Sequence, residues 1–129
     1  MTGSDHWAEG MATRRRVLGD AHVDRAEARK SAFDARFQAL ITEAAWGRVW
    51  SDDTFTPRER SIVTLALLAA LGHAEEFRMH VDATRRTGAR PEDIAEALLH
   101  VAIYAGVPAA NRAYAVAREA MAAWETDDV

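Results

Sequence analysis

Thr56-Pro57-Arg58-Glu59-Arg60-Ser61-Ile62-Val63-Thr64-Leu65-Ala66-Leu67-Leu68-Ala69-Ala70-Leu71-Gly72 reads as one complete helix with both ends written in its residues. Thr56 offers an N-cap hydroxyl. Pro57 suits the first helical position, where its missing N–H would have no partner anyway, and Glu59 completes a capping box three residues after the cap. Gly72 can take the left-handed conformation that closes helices. Residues 62–71 are apolar nearly all round, so this helix should be central in the domain or in an assembly.

On the N-terminal side, a first helix is expected over 5–18, stopping at Gly19, followed by a polar segment, 19–24. A second should begin at Asp24 or Arg25 and continue toward Trp50, turning Phe33, Phe37, Leu40, Ile41, Ala44 and Ala45 to the core. On the C-terminal side, a fourth helix fits 74–87, closed by Gly88. A fifth starts at Pro91-Glu92-Asp93, whose acids suit the positive end of a helix dipole, and runs to about Tyr104. Gly106 and Pro108 interrupt the pattern before a last helix reaching about Trp124 and an acidic tail. With no alternation of period two, the chain reads as all-α, with about five or six helices in a single domain spanning 1–129.

The 129 residues carry 16 basic and 20 acidic side chains, a formal charge of -4, so no global positive field draws the protein to nucleic acid or an anionic membrane. Neither partner is expected. The apolar run 62–71 has about half the length of a membrane span and the N-terminus is charged, so a cytoplasmic protein is expected. With no cysteine, disulfides, thiolate-bound zinc, iron–sulfur clusters and thiol mechanisms are excluded.

Glu76 and His80 lie four apart on one helix, within reach of each other. A carboxylate beside an imidazole raises its pKa and fixes its tautomer, as a proton donor near neutral pH requires, although a solvated ion pair has the same spacing. A metal would need a third protein ligand that the sequence does not offer, so none is expected. Arg14, Arg15 and Arg16 end the first helix just before His22; beyond complementing the dipole, their planar forks suit a ligand with more than one carboxylate. Arg58 and Arg60 oppose the dipole at the start of the third helix unless an anion or acidic partner compensates. Trp46, Trp50 and Tyr104 suit packing, an interface or a pocket mouth, and His73 and His100 read as structural.

Arg14-Arg15-Arg16-Val17-Leu18-Gly19-Asp20-Ala21-His22-Val23 closely resembles the N-terminal signature of the 4-carboxymuconolactone decarboxylase family. Ala45-Trp46-Gly47 with Trp50, Glu75-Glu76-Phe77-Arg78-Met79-His80, and Ile103-Tyr104-Ala105-Gly106-Val107-Pro108-Ala109-Ala110-Asn111 agree in order and spacing, so the likeness runs from about residue 9 to 124. Ala105 departs from relatives that carry a cysteine there. The wider superfamily is alkylhydroperoxidase-like, and its redox members place a Cys-x-x-Cys pair before a histidine. Here Glu76 stands at the second cysteine position and His80 at the histidine, which removes peroxidase chemistry.

The resemblance implies a compact helical fold assembled as a homotrimer or homohexamer. It also implies that a small dicarboxylate lactone, 4-carboxymuconolactone, loses carbon dioxide to give the enol-lactone of β-ketoadipate in protocatechuate catabolism, without a cofactor. Catalysis falls to His80 and Glu76, and substrate binding to Arg14, Arg15, His22, Arg60, Trp46 and Tyr104. Two rivals are a helix-turn-helix DNA reader over 84–99, which would present Glu92, Asp93 and Glu96 to phosphates, and a non-catalytic helical oligomerisation module.

Overall fold

A computed structural model describes residues 3–127. These are helical almost throughout, and the chain divides into two compact units, Met1–Thr56 and Pro57–Val129.

In the first unit, α1 (Gly3–Leu18) is followed by α2 (Asp20–Arg29) and α3 (Ala35–Ile41), which runs without a break into a π-helix, Thr42–Trp50. The change of pitch begins where Thr42 turns its hydroxyl back onto the Gln38 carbonyl at 2.9 Å, a bond that bends helices. It ends where the Ser51 hydroxyl donates to the Trp46 carbonyl at 2.6 Å. α1 and the π-helix meet backbone to backbone: a Cβ on Gly10 would overlap the Thr42 carbonyl oxygen and stand 2.8 Å from the Gly47 nitrogen, and one on Gly47 would overlap the His6 carbonyl oxygen. Val17, Leu18, Val23 and Trp46 fill the small interior beside the buried Thr13, Arg14 and Thr42.

Three expectations for this region are corrected. The segment 19–24 is not a loop. Gly19, at φ 91°, ψ 147°, makes the whole turn alone, and α2 starts at Asp20. The helix expected to continue to Trp50 is broken at residues 30–34, where Lys30 is extended and local side chains satisfy the backbone: Ser31 N–H donates to Asp34 Oδ1 at 2.8 Å and Phe33 N–H to Ser31 Oγ at 3.3 Å. The face assigned to the core lies largely at the surface, with Phe33 99%, Phe37 59% and Leu40 62% exposed.

The second unit contains α4 (Pro57–Leu71), α5 (Ala74–Thr87), α6 (Pro91–Tyr104) and α7 (Val107–Asp127). The helix boundaries follow the sequence signals closely. Gly88 (φ 91°, ψ 1°) closes α5 with its N–H on the Thr84 carbonyl at 3.0 Å. Leu65, Phe77, Val81, Ile94, Leu98 and Val101 form the core, and Ala110, Ala113, Ala117 and Ala120 let α7 approach closely. α4 is buried along one stripe only, Ser61, Leu65 and Ala69, while Val63, Leu67 and Leu71 remain exposed in this chain.

Arg58, the cation expected to need an acidic partner, has one in Asp93: Nε to Oδ2 at 2.9 Å and Nη2 to Oδ1 at 2.7 Å. The Arg90 backbone N–H adds a third bond at 2.9 Å, so one buried carboxylate ties the starts of α4 and α6 together. These donors, Arg58 foremost, hold the Asp93 carboxyl far below the usual carboxylate range. At the other end, Trp124 Nε1 donates to Asp82 at 2.8 Å and Arg85 lies over the indole at 5.1 Å, docking α7 on α5. Among the described residues no helix is long and apolar enough to cross a membrane.

Candidate active site

α5 is the helix on which proton chemistry was expected. Phe77, Val81 and Thr84 line its buried face, and three residues after Phe77 the same face carries His80, 6% exposed with its Nδ1 closed off from solvent. Glu76 sits one turn earlier at the exposed edge, in the first turn with Glu75. The imidazole is thus buried and the carboxylate exposed, one turn apart on the same helix. Arg60 is half-buried in the first turn of α4. Tyr104, at the end of α6, is 86% exposed and stacks on His100 with ring centroids 6.4 Å apart, so it contributes nothing to this chain's core. His73, read as structural, occupies the N-cap position of α5 with its side chain exposed.

The remaining candidates belong to the first unit. Arg14 is buried near the end of α1, with Nη1 3.5 Å from Glu27 Oε1 on α2 and 3.4 Å from Thr42 Oγ1 at the start of the π-helix. Burial pushes its pKa down, and Glu27 opposes that shift. Arg15 points outward and is gripped by Asp24 at 2.9 Å and Asp20 at 3.1 Å, bonds that raise its pKa. His22 is half-buried on α2. Trp46 is buried in the π-helix, with Trp50 at a centroid distance of 5.2 Å.

Sequence reasoning missed Glu27 and Thr42 as the surroundings of Arg14, and Lys30 as the second partner of Glu27. Glu27 and Lys30 have helical ion-pair spacing, but 13 and 28 residues separate Arg14 from Glu27 and Thr42, and no local pattern links them. Among the described residues no group of three His, Asp or Glu side chains could hold a metal ion.

The carboxymuconolactone decarboxylase family is matched over residues 35–119, from α3 to the later turns of α7. A 4-carboxymuconolactone decarboxylase of Acinetobacter baylyi is 39% identical over 119 residues, covering 92% of this chain and 89% of the relative. Nitrosuccinic acid decarboxylase npaB of Metarhizium robertsii is 34% identical over 111 residues, 86% of this chain and 78% of that protein. A 47-residue match to a 4-carboxymuconolactone decarboxylase of Pseudomonas putida reaches 45% identity, over 36% of this chain and 98% of the relative. With the buried histidine on α5, the half-buried arginine of α4 and the buried tryptophan of the π-helix all inside the matched span, the chain belongs to the carboxymuconolactone decarboxylase family.

Proposed function

We propose that this protein is a cofactor-independent decarboxylase that converts 4-carboxymuconolactone to the enol-lactone of β-ketoadipate. The observation carrying this reading is the likeness over 92% of the chain to a 4-carboxymuconolactone decarboxylase. The burial of the His80 imidazole on α5 supports its assignment as the proton donor.

The substrate supplies its own electron sink. As the bond to the ring carboxylate breaks, its electron pair moves through the conjugated C=C into the lactone carbonyl, and neutral carbon dioxide leaves. The resulting dienolate takes one proton at the carbon α to the carbonyl. Nitrosuccinic acid, named in the second relative, has the same logic: two carboxylates, and a nitro group that accepts the pair as a nitronate. The protein's tasks are to gather carboxylates, stabilise the developing oxyanion and return a proton to carbon. His80 performs the protonation with Glu76 orienting it. Arg14, Arg15, His22 and Arg60 supply cations and donors, and Trp46 and Tyr104 form apolar pocket surface. A homotrimer or homohexamer would cover Tyr104, Leu99 and Ile103 on α6 and Phe33, Phe37 and Leu40 in the first unit, large apolar side chains that lie exposed in one chain.

The test is carbon dioxide release from freshly prepared 4-carboxymuconolactone in the presence of a strong chelator. Release at a rate insensitive to the chelator is expected. No release overturns the assignment, and activity that returns only with a divalent ion replaces His80 as proton donor by a metal ligand.

A further inference from the structure

Arg14 is a buried cation whose hydrogen bonding is incomplete. Its two contacts, 3.4 Å to Thr42 and 3.5 Å to Glu27, are at the long limit of a hydrogen bond, and its Nε–H is enclosed with no acceptor. A buried donor without a partner is costly, and a guanidinium is more costly than a neutral group. Arg15, by contrast, is partly exposed and committed to two aspartates at ordinary distances. The partner of Arg14 is itself divided. Glu27 Oε2 accepts from Lys30 Nζ at 2.6 Å, a short charge-assisted bond, whereas Oε1 reaches Arg14 only at 3.5 Å. Glu27 is therefore held tightly by Lys30 and loosely by Arg14.

We propose that Glu27 is a placeholder carboxylate, neutralising Arg14 from Nη1 in the ligand-free protein and ceding that role to a carboxylate of the substrate on the Nε–Nη2 edge while Lys30 retains it. This rests on the reading of the substrate as a dicarboxylate. The ligand class that completes Arg14 is a carboxylate, because two oxygens in a plane match the guanidinium edge formed by Nε and Nη2, away from the Nη1 that Glu27 and Thr42 share, and one of the two parallel bonds satisfies the orphaned Nε–H. Thr42, fully buried and fixed by its own bond to Gln38, shares Nη1 with Glu27 and stays on that nitrogen. Glu27 touches no substrate. It acts as a positioning residue that sets carboxylate affinity by competition, and Lys30 sets the strength of the competitor.

The arrangement makes predictions of opposite sign. Glu27→Gln removes the competing charge and should lower the KM for the lactone, and the Kd of the unreactive probe succinate measured by calorimetry, by about two- to fivefold, the scale of a partly exposed ion pair. Lys30→Met leaves Glu27 to Arg14 alone and should raise both by a similar factor. Added to Glu27→Gln, Lys30→Met should do nothing, since its action passes through Glu27. A purely structural tie predicts the reverse for Glu27→Gln: lower thermal stability with KM and Kd unchanged or raised. That result, an unaltered Kd in Lys30→Met, or no saturable succinate binding by the wild type each overturns the proposal. Should succinate binding follow the predicted cycle while the lactone releases no carbon dioxide, the decarboxylase reading falls and the placeholder stands.

Discussion

Replacing Gly10 by alanine sets two magnitudes against each other. Gly10 lies inside α1, and alanine in a helix interior is favoured over glycine by about 1 kcal/mol. Taken alone, that term stabilises. The added methyl, however, would overlap the Thr42 carbonyl oxygen and stand 2.8 Å from the Gly47 nitrogen, where about 3.5 Å is the ordinary separation. Both obstacles are backbone, so no side chain can swing aside and the helices must part. Forced separation in a packed interior costs about 1–3 kcal/mol, and here the upper end applies, because the shift also strains the Thr13–Ser51 bond at 2.7 Å and the Arg14–Thr42 contact. The net expectation is a loss of about 2 kcal/mol, or roughly 6–10 °C in Tm for a domain of this size. Urea unfolding followed by circular dichroism measures it, with Ala12→Gly, at an exposed position of α1, as the reference for propensity alone. A Gly10→Ala variant as stable as the wild type would refute the backbone-to-backbone crossing.

Three further outcomes are expected. His80→Ala should lower kcat about 100-fold or more, the usual scale for a positioned acid, while its circular dichroism stays that of the wild type; a folded variant with near-normal kcat would transfer the acid role to His22. Asp93, whose folded-state pKa is depressed, contributes stability that is complete above the ordinary carboxylate pKa and lost as pH falls through the folded value. The stability gap between wild type and Asp93→Asn should therefore be constant from neutral pH to about pH 5 and shrink below about pH 4; a gap unchanged down to pH 2 would contradict the Arg58 contact as its source. Light scattering at micromolar concentration should give a mass at least about three times that of the chain, whereas a clean monomer would leave Leu67 and Ile103 in water.

What the sequence made legible is local. Pro57, Gly72, Gly88 and Pro91 mark helix ends through their own backbone preferences, and the boundaries of α4, α5 and α6 fall where those residues place them. Glu76 and His80 could be put one turn apart on a single helix from their spacing, but that spacing did not tell a solvated pair from a histidine buried beside Phe77, Val81 and Thr84. The π-helix was invisible for a physical reason: its ladder advances by five residues, so a side-chain pattern read at 3.6 assigns faces wrongly after Thr42. The break at residues 30–34 depends on local bonds in which the Ser31 and Asp34 side chains take backbone N–H groups from the helix, a competition that helical periodicity does not register. Phe33, Phe37 and Tyr104 show the other limit, since an apolar face looks the same in sequence whether its own chain buries it or leaves it exposed. The surroundings of Arg14 were hidden because each partner comes from a different helix.

The clamp on Trp124 makes the second unit observable by itself. That indole is fixed between the Asp82 carboxylate and the Arg85 guanidinium, so its emission responds to the docking of α7 on α5. Trp7, Trp46 and Trp50 all lie in the first unit, where Trp46 is buried against Trp50. Phenylalanine at those three positions leaves a chain whose tryptophan emission comes only from its second unit, and phenylalanine at Trp124 leaves one whose tryptophan emission comes only from its first. Denaturation curves of the two would coincide if the halves melt as one cooperative body and separate if they do not.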